Sequence, residues 1–498
     1  MNVNPITRLD YPDPDVIRVE DTYYMVSTTM HFMPGCEILQ SFDLVHWEHA
    51  TYVYETLDHT DAQQLKSGQN IYGQGMWAAS LRYHEGRFYI CFVANDTRKT
   101  YLYTSEKIDG PWKRQLIEGF YHDASLLFDE DGRNYIVYGN DEIWITELNE
   151  DLTAPKKDGL HRLLVSDHKN PELGYEGSHI QKINGYYYIF LIHSLRDRWM
   201  RTEACFYSDS LEGEFTGGDV LCDDRGYCGQ GVAQGGIVDT PDGKWYAMLF
   251  QDSGAVGRIP ILVPVTWKDH FPVFGQNGHV PEEIEVHSTR PGYIYQPLVG
   301  SDDFCNGLLP RWQFNHDPDP RYYHLDALQG TYTITTREVC TELTQAVNTL
   351  TQRMSYPSCA AEVTVDASAL KEGDVAGLCA FQGCYAAVGI TKHHGKYEVL
   401  MLDKKEDGIL DMTERTVVES HQMDFRLEAD FCNMKDEARC YYRVNKGDWL
   451  PIGTVHKLYF KLDHFTGCRF GLFCYAAEET GGSACFRDFK YYDVDEIS

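Results

Sequence analysis

Three carboxylates stand at the start of repeated strand–turn–strand segments, and their residue types suit acid–base chemistry. They are Asp13, Asp123 and Glu176. When the surroundings raise the pKa of one carboxyl group and leave another ionised, the first can donate a proton and the second can remove one. A third carboxylate nearby raises the pKa of the donor by like-charge repulsion. Hydrolysis of a glycosidic bond needs this combination, because the leaving oxygen must gain a proton while a base or nucleophile acts at the anomeric carbon.

Five segments share this strand–turn–strand pattern. They begin at Asp13, Trp77, Asp123, Glu176 and Gln234. The last four are interrupted by a tight-turn pair at the same distance from their start: Glu85-Gly86, Asp131-Gly132, Asn184-Gly185 and Asp242-Gly243. Glycine adopts the positive φ of such turns without steric cost, so these pairs are strong hairpin signals. The first segment has its turn at Glu20-Asp21, one residue out of step.

The repeat predicts a five-bladed β-propeller. Successive segments begin 46 to 64 residues apart. Since a four-stranded blade takes about 40–50 residues, these blades carry added loops. Equivalent positions of a radial repeat converge on its axis, so the fold is expected to gather Asp13, Asp123 and Glu176 in one place.

A change of pattern along the chain predicts two domains. Residues 1–290 carry the repeat and form the propeller, and residues 291–300 lie in a stretch rich in Gly, Pro and polar residues that is typical of a linker. From 301 to 498 the repeat is lost, and many short alternating strands predict an antiparallel, jelly-roll-like β-sandwich. The fold class is therefore expected to be all-β.

Composition argues against several partners. The chain of 498 residues has 44 basic and 75 acidic residues and a net charge of −31. Nucleic acids and anionic membranes attract basic surfaces, so neither is an expected partner, whereas a neutral ligand fits. The sequence shows no signal-peptide pattern, no apolar run of membrane-spanning length and no C-x-x-C pair among its 15 cysteines. A cytoplasmic protein with reduced thiols is expected.

Four blocks resemble the signature sequences of glycoside hydrolase family 43. They are "DYPDPDVIRVEDTYYMVSTTMHFMPG", "GMWAASLRYHEGRFYI", "HDASLLFDEDGRNYIVYG" and "YEGSHIQKINGYYYIF". The segments "DDFCNGLLPRWQFNHDPDP" and "NTLTQRM" are similar to the C-terminal β-sandwich of the xylosidase-like branch. The resemblance covers essentially the whole chain. It implies a propeller enzyme of the β-xylosidase or α-L-arabinofuranosidase type.

The resemblance also implies roles for individual residues. Asp13 matches the general base that activates water, Glu176 matches the general acid, and Asp123 matches the carboxylate that orients the acid and tunes its pKa. Because the family inverts the anomeric configuration, the carboxyl groups of Asp13 and Glu176 are expected to lie roughly 6.5–9.5 Å apart, which leaves room for the water. Arg258, in "VGRIP", matches an arginine that reaches sugar hydroxyls near the base.

Other residues are expected to contact the sugar. Met30 and His31 occupy positions that line the small pocket in the family, and Trp77 either stacks on the sugar or fills the propeller hub. Gln234 stands where many members have a histidine that holds a water or a metal ion on the axis. The glutamine is a poor transition-metal ligand, but its amide oxygen can bind Ca²⁺. No cofactor is required and no metal ligands are assigned, while Ca²⁺ on the propeller axis stays an open alternative.

The expected activity is inverting exo-hydrolysis that releases xylose, arabinose or both from the ends of short hemicellulose-derived oligosaccharides, or from aryl glycosides. Two alternatives stay open: a sugar-binding propeller without activity, and a glycosidase for another sugar such as a galactoside or fructoside. The presence of Asp13 and Glu176 disfavours the first, and the absence of Arg-Asp-Pro and Glu-Cys motifs at the matching places disfavours a fructosidase. A homo-oligomer is compatible with the sequence. In the sandwich, the segment Trp312–Leu325 is expected to narrow the pocket.

Overall fold

The computed structural model describes residues 2–493 of the chain. Within them, strands form five four-stranded sheets, one eight-stranded sheet, one seven-stranded sheet and one two-stranded pair. The helical elements of this range are four short 3₁₀ turns: Lys66–Gly68, Gly254–Val256, Leu343–Gln345 and Cys432–Met434. None of the helices between residues 2 and 493 has the length and apolar character needed to cross a membrane. The predicted all-β class is confirmed.

The five four-stranded sheets are antiparallel and form the blades of the propeller. Blade 1 comprises Asp15–Val19, Thr22–Val26, Gly35–Ser41 and Glu48–Tyr54; blade 2 comprises Met76–His84, Arg87–Ala94, Lys99–Ser105 and Lys113–Ile117; blade 3 comprises Ser125–Phe128, Asn134–Asn140, Glu142–Leu148 and His161–Ser166; blade 4 comprises Glu176–Ile183, Tyr186–Ser194, Arg201–Ser208 and Thr216–Leu221; blade 5 comprises Ile237–Asp239, Trp245–Asp252, Arg258–Lys268 and Phe271–Phe274. The first strands of blades 1 to 4 contact one another in order around the axis, and Gln181 of blade 4 donates from its side chain to the carbonyl of Ile237 in blade 5 at 2.8 Å. Ile237–Asp239 contacts Asp15–Val19 of blade 1 and closes the ring. The predicted five-bladed propeller is confirmed.

A largely enclosed arginine connects four of the blades at the hub through hydrogen bonds. Arg82 of blade 2 donates from Nη1 to Asp15 Oδ2 of blade 1 at 2.7 Å, from Nε to the carbonyl of Leu126 in blade 3 at 2.9 Å, and from Nη2 to the carbonyl of Ile180 in blade 4 at 3.1 Å. His179 Nδ1 lies 3.1 Å from the other oxygen of Asp15. Burial would raise the pKa of Asp15, but Arg82 and His179 outweigh burial and lower it to about 2. The carboxylate is therefore ionised inside the propeller.

Replacing Arg82 with Met is expected to lower the free energy of unfolding by about 3–5 kcal/mol, because it leaves the Asp15 charge buried without its partner. Urea unfolding of both proteins measures the difference. Arg290→Met is the matched control, since Arg290 and Asp21 form an ion pair in which both side chains are about half exposed. Such a pair contributes at most about 1 kcal/mol. Equal losses in the two variants would contradict a special role of Arg82.

The C-terminal domain is a sandwich of two antiparallel sheets. In order across the sheet, the eight-stranded sheet comprises Leu410–Val418, Lys396–Lys404, Ala386–His393, Asp374–Phe381, Arg469–Ala476, Leu350–Arg353, Gln313–Asn315 and Phe32–Met33. The seven-stranded sheet comprises Tyr323–Asp326, Thr331–Thr335, Ser483–Asp493, Ser358–Asp366, Gln422–Asp430, Glu437–Arg443 and Leu450–Lys457. Buried apolar side chains of both sheets form one continuous core. The predicted β-sandwich is confirmed.

A short strand of the propeller belongs to a sheet of the sandwich. Phe32–Met33 lies in sequence between strands of blade 1 but pairs with Gln313–Asn315. The terminal strand Asn2–Val3 pairs with Glu283–Ile284, so the linker predicted at 291–300 falls between that pair and the first sandwich strand. The two domains therefore share backbone hydrogen bonds as well as side-chain contacts.

Candidate active site

A cavity of about 530 Å³ lies at the propeller axis and has walls from both domains. The first residues of all five sequence repeats line it: Asp13, Trp77, Asp123, Glu176 and Gln234. The two aspartates are almost fully buried, at 7% and 6% exposure. The convergence expected from the repeat is thus present in the fold.

The backbone departs from regular strand geometry where it presents these side chains. In blades 1, 3 and 5 the presenting residues are left-handed, with φ of 53° at Asp13, 47° at Asp123 and 63° at Gln234. In blades 2 and 4 the pairing register shifts just after the first residue of the inner strand. Left-handed non-glycine residues cost about 1–3 kcal/mol and cluster at functional sites. Regular pairing therefore begins only beyond the residues that face the axis.

Asp13 is held by one hydrogen bond to each of its carboxylate oxygens. Thr28 Oγ1 donates to Oδ2 at 2.6 Å, and Arg258 Nη1 donates to Oδ1 at 2.8 Å. Arg258 Nε lies 3.3 Å from Asp252 Oδ1. Burial would lower the pKa of Arg258, but Asp13 and Asp252 outweigh burial and raise it. The cation therefore fixes the orientation of the Asp13 carboxylate.

His122 bridges the other two carboxylates. Its Nε2 lies 3.4 Å from Glu176 Oε2 and 3.5 Å from Asp123 Oδ2. Asn140 Nδ2 donates to the same Glu176 oxygen at 2.7 Å, and the backbone N–H of Gly177 donates to Asp123 Oδ2 at 3.0 Å. Each carboxylate thus has a fixed position beside the imidazole.

The surroundings shift the pKa values of His122, Asp123 and Glu176 by different amounts and in different directions. Burial would lower the pKa of His122, but Asp123 and Glu176 raise it to about 9. Burial raises the pKa of Asp123 to about 6, although His122 opposes this shift. Burial also acts to raise the pKa of Glu176, but the hydrogen bond and charge of His122 hold it below its usual value. A proton held by this cluster near neutral pH resides mainly on the imidazole, in contact with Glu176.

The remaining predicted binding residues divide into two groups. Met30, Trp77, Gln234 and Arg258 line the cavity with the carboxylates. The assignment of His31 to the pocket is corrected by the structure, which buries this side chain completely at the domain interface. The backbone carbonyl of His31 accepts from the N–H of residue 316, and the ring packs on aromatic rings from both domains. The adjacent strand Phe32–Met33, which pairs with the sandwich, carries His31 into this interface.

The sandwich reaches the cavity through Met434 and through a loop that differs from the predicted segment. Four lining residues follow the strand Leu450–Lys457: Phe460, Lys461, Leu462 and Phe465. The predicted segment Trp312–Leu325 contributes none. Trp312 lies in the sandwich core, where its indole N–H donates to Asp302 at 2.8 Å, and Phe314 belongs to the strand that pairs with the propeller.

Several lining residues escaped the sequence reasoning. They include Thr28, His122, Asn140, Arg201 and Asp252, besides Trp199, Leu173 and the residues from the sandwich. A signal existed for His122, because it directly precedes a hub carboxylate in "HDAS". Thr28, Asn140 and Asp252 lie within or beyond the second strands of their blades, where no motif marked them. Arg201 Nε donates to Asp252 Oδ2 at 2.7 Å and extends the charge network of Arg258.

The groups around the axis fit a resident Ca²⁺ poorly. Gln234 donates its backbone N–H to Glu203 Oε2 at 2.7 Å, and burial raises the pKa of Glu203 well above its usual value, which favours the neutral form of this carboxyl group. Among residues 2–493, the one close group of three potential ligand side chains is His122, Asp123 and Glu176. Ca²⁺ prefers six to eight oxygen ligands, whereas this group offers two carboxylates and an imidazole nitrogen. No catalytic step is therefore assigned to a metal.

Comparison with known proteins agrees with this architecture. A family model described as glycosyl hydrolases family 43 matches residues 3–272, and one described as beta xylosidase C-terminal Concanavalin A-like domain matches residues 301–492. The chain is 27% identical to a beta-xylosidase of Formosa agariphila over 99% of this chain and 89% of that protein. It is 24% identical to a non-reducing end alpha-L-arabinofuranosidase of Bacteroides ovatus over 82% and 79% of the two chains.

A solved structure extends the comparison. The bifunctional GH43-CE protein of Bacteroides eggerthii superimposes with a TM-score of 0.92 at 42% identity. The match covers 99% of this chain but 64% of that one, so the chain spans about two thirds of the bifunctional protein. With matching family models on both domains and the hub carboxylates in one cavity, the chain belongs to glycoside hydrolase family 43.

Proposed function

We propose that the protein is an inverting exo-glycosidase that releases xylose or arabinose from the non-reducing ends of short oligosaccharides. The observation that carries this proposal is the single cavity in which Asp13, held by Arg258, shares walls with the cluster of His122, Asp123 and Glu176. The names of the relatives, which include a beta-xylosidase and an alpha-L-arabinofuranosidase, support the choice of sugar.

Asp13 serves as the general base in this proposal. A water molecule attacks the anomeric carbon, and Asp13 takes up its proton as the bond to the leaving oxygen breaks. The contacts from Thr28 and Arg258 hold the carboxylate in one orientation, so little reorganisation accompanies the reaction.

Glu176 serves as the general acid and gives its proton to the leaving oxygen. Glu176 contacts the imidazole of His122, which can supply that proton. When the proton moves from the imidazolium of His122 to the carboxylate of Glu176, the number of protons in the pair does not change. Asp123 fixes the imidazole from the other side and keeps negative charge beside the donor. Net, one water is consumed, Asp13 gains a proton and the His122–Glu176 pair loses one, and exchange with solvent restores both groups.

Exo action follows from the shape of the cavity. Its inner end is formed by nearly buried aspartates, and the loop with Phe460 and Phe465 adds a wall from the sandwich. The Arg258 guanidinium carbon lies 4.3 Å from the centre of the Phe465 ring, so this wall sits directly against the base site. A terminal sugar fits such a pocket, whereas a chain that continues in both directions needs an open cleft.

The experiment that tests the proposal is hydrolysis of aryl β-D-xylopyranoside and aryl α-L-arabinofuranoside, followed by NMR of the first product. We expect turnover of at least one glycoside, with release of the anomer opposite to that of the substrate. Retention of configuration would contradict the role of Asp13 as a base acting through water. Lack of turnover of both glycosides would contradict the proposed activity.

The cluster around His122 predicts a two-step alkaline limb in the pH dependence of kcat/KM. Below about pH 6 the cluster holds two protons, so that Glu176 can draw one from the cluster while His122 keeps the other. As the pH rises through about 6, the Asp123 proton is lost and the rate declines. Near pH 9 the last proton leaves His122 and activity ends. Rates on an aryl glycoside from pH 4 to 10 measure both steps.

His122→Gln tests the origin of the second step. Glutamine keeps an N–H donor near both carboxylates but holds no titratable proton. The final loss of activity is then expected to move from near pH 9 down toward pH 6, because only the carboxyl groups are left to hold the proton. An alkaline limb that is unchanged in this variant would contradict the proton-supplying role.

A further inference from the structure

An exposed tryptophan stands at the mouth of the active-site cavity. Trp199 lines the cavity and is 45% exposed. It lies in the connection between the blade 4 strands Tyr186–Ser194 and Arg201–Ser208. Glu176 pairs with Ile192 near the end of the first of these strands, so the connection extends from the same end of the blade as the proposed acid.

The indole is held on one side by a fixed cation. The Arg201 guanidinium carbon lies 5.2 Å from the centre of the Trp199 ring, and Arg201 is itself fixed by Asp252. The connection is tight, because the backbone N–H of Met200 donates to the side chain of Ser194 at 2.8 Å. An aromatic ring backed by a cation on a short connection is positioned before a ligand arrives, while the rest of its surface stays open to solvent.

Two leucines add apolar surface to the same mouth. Leu173 precedes Glu176 on blade 4 and packs on the cluster of Ile192, Ala233 and Phe250. Leu462 comes from the sandwich loop, lines the cavity and is 70% exposed. The mouth therefore differs from the inner end, where the lining is dominated by charged side chains.

We propose that Trp199, with Leu173 and Leu462, binds the leaving-group sugar, and that this sugar is a xylose residue stacked on the indole. The inference rests on the proposed function. The acid donates to the oxygen that joins the two sugars, so the leaving group must lie outward of Glu176, on the side where Trp199 stands. Xylopyranose carries no exocyclic hydroxymethyl group, and its ring presents a flat face to an amphipathic aromatic surface.

The test compares two substrates that differ only in the leaving group: the methyl glycoside of the sugar that the enzyme releases, and the same sugar linked to xylose. For Trp199→Ala, kcat/KM for the xylose-linked substrate is expected to fall about 10-fold, because one stacking contact with an aromatic ring is lost. For the methyl glycoside, which has no sugar to stack on the indole, kcat/KM is expected to change less than about two-fold. Trp199→Phe is expected to restore most of the loss. Inhibition by the free released sugar, which binds the inner end, is expected to stay unchanged.

Two further variants separate contact from structural damage. Leu462→Ser, in the sandwich domain, is expected to lower kcat/KM for the xylose-linked substrate by about three-fold and to leave the methyl glycoside unaffected. Tyr83→Ala is the matched control, since Tyr83 is an aromatic residue with 44% exposure near the end of the blade 2 inner strand that is remote from the cavity; it is expected to change neither rate.

The outcomes distinguish this inference from the activity on which it rests. Equal losses on both substrates in Trp199→Ala, or no loss on either, would overturn the leaving-group site while the glycosidase activity stands. A wild-type protein that turns over neither substrate would overturn the proposed function and this inference with it.

Discussion

Replacing Asp13 with Asn is expected to lower kcat by about 10⁴-fold, which is the upper end of what a general base contributes. The amide keeps the size of the side chain and can still accept from Thr28, but it cannot take a proton from water. Because the loss concerns the attacking water, it is expected to be the same for every leaving group. Steady-state rates on aryl and sugar-linked glycosides measure it.

The control for this variant is Asp21→Asn, a change of the same chemistry at an exposed turn of blade 1. It is expected to leave kcat unchanged. The thermal midpoint of Asp13→Asn is expected to stay within a few degrees of the wild type, so that the loss reports on chemistry. An Asp13→Asn variant with more than one tenth of the wild-type kcat would contradict its assignment as the base.

Replacing Glu176 with Gln is expected to have an effect that depends on the leaving group. For a sugar leaving group, which departs as a poor alkoxide unless it is protonated, we expect kcat/KM to fall about 10³–10⁴-fold. For a dinitrophenyl leaving group, which departs readily without a proton, we expect a loss of about 10-fold or less. The ratio between the two substrates is the informative quantity, because damage to the fold would lower both rates alike.

Glu172→Gln provides the matched control, since Glu172 is exposed on the segment that leads into the same strand. It is expected to change neither rate. Equal losses on both leaving groups in Glu176→Gln would contradict the role of general acid and would point instead to a role in binding. A normal rate of Glu176→Gln on the sugar-linked substrate would also contradict the role of general acid.

The propeller could be predicted because its signals are local and repeat. Each inner hairpin combines alternating apolar residues with a turn pair at a fixed position, so pairing within a blade needs no information from distant segments. Radial symmetry then brings Asp13, Asp123 and Glu176 together without any contact being known beforehand. The backbone irregularities at these residues left no comparable sequence signal.

The walls of the cavity were harder to predict because they depend on contacts between domains. The loop with Phe460 and Phe465 joins two sandwich strands, and no repeat relates it to the propeller axis. The segment Trp312–Leu325 has a similar aromatic content, but its rings pack in the sandwich core and at the domain interface. The assignment of His31 to the pocket is wrong for the same reason, because the adjacent strand Phe32–Met33 pairs with the sandwich and carries His31 into the domain interface.

The strand Phe32–Met33 also has a consequence for how the chain is made. Its partner, Gln313–Asn315, leaves the ribosome long after it, roughly 15–60 s later at a synthesis rate of about 5–20 residues per second. During that time the propeller segment has an unpaired strand edge next to Met30, a residue of the cavity wall. The nascent propeller therefore acquires its complete pocket only when the second domain has emerged, which makes hydrolytic competence one of the last properties gained during biosynthesis.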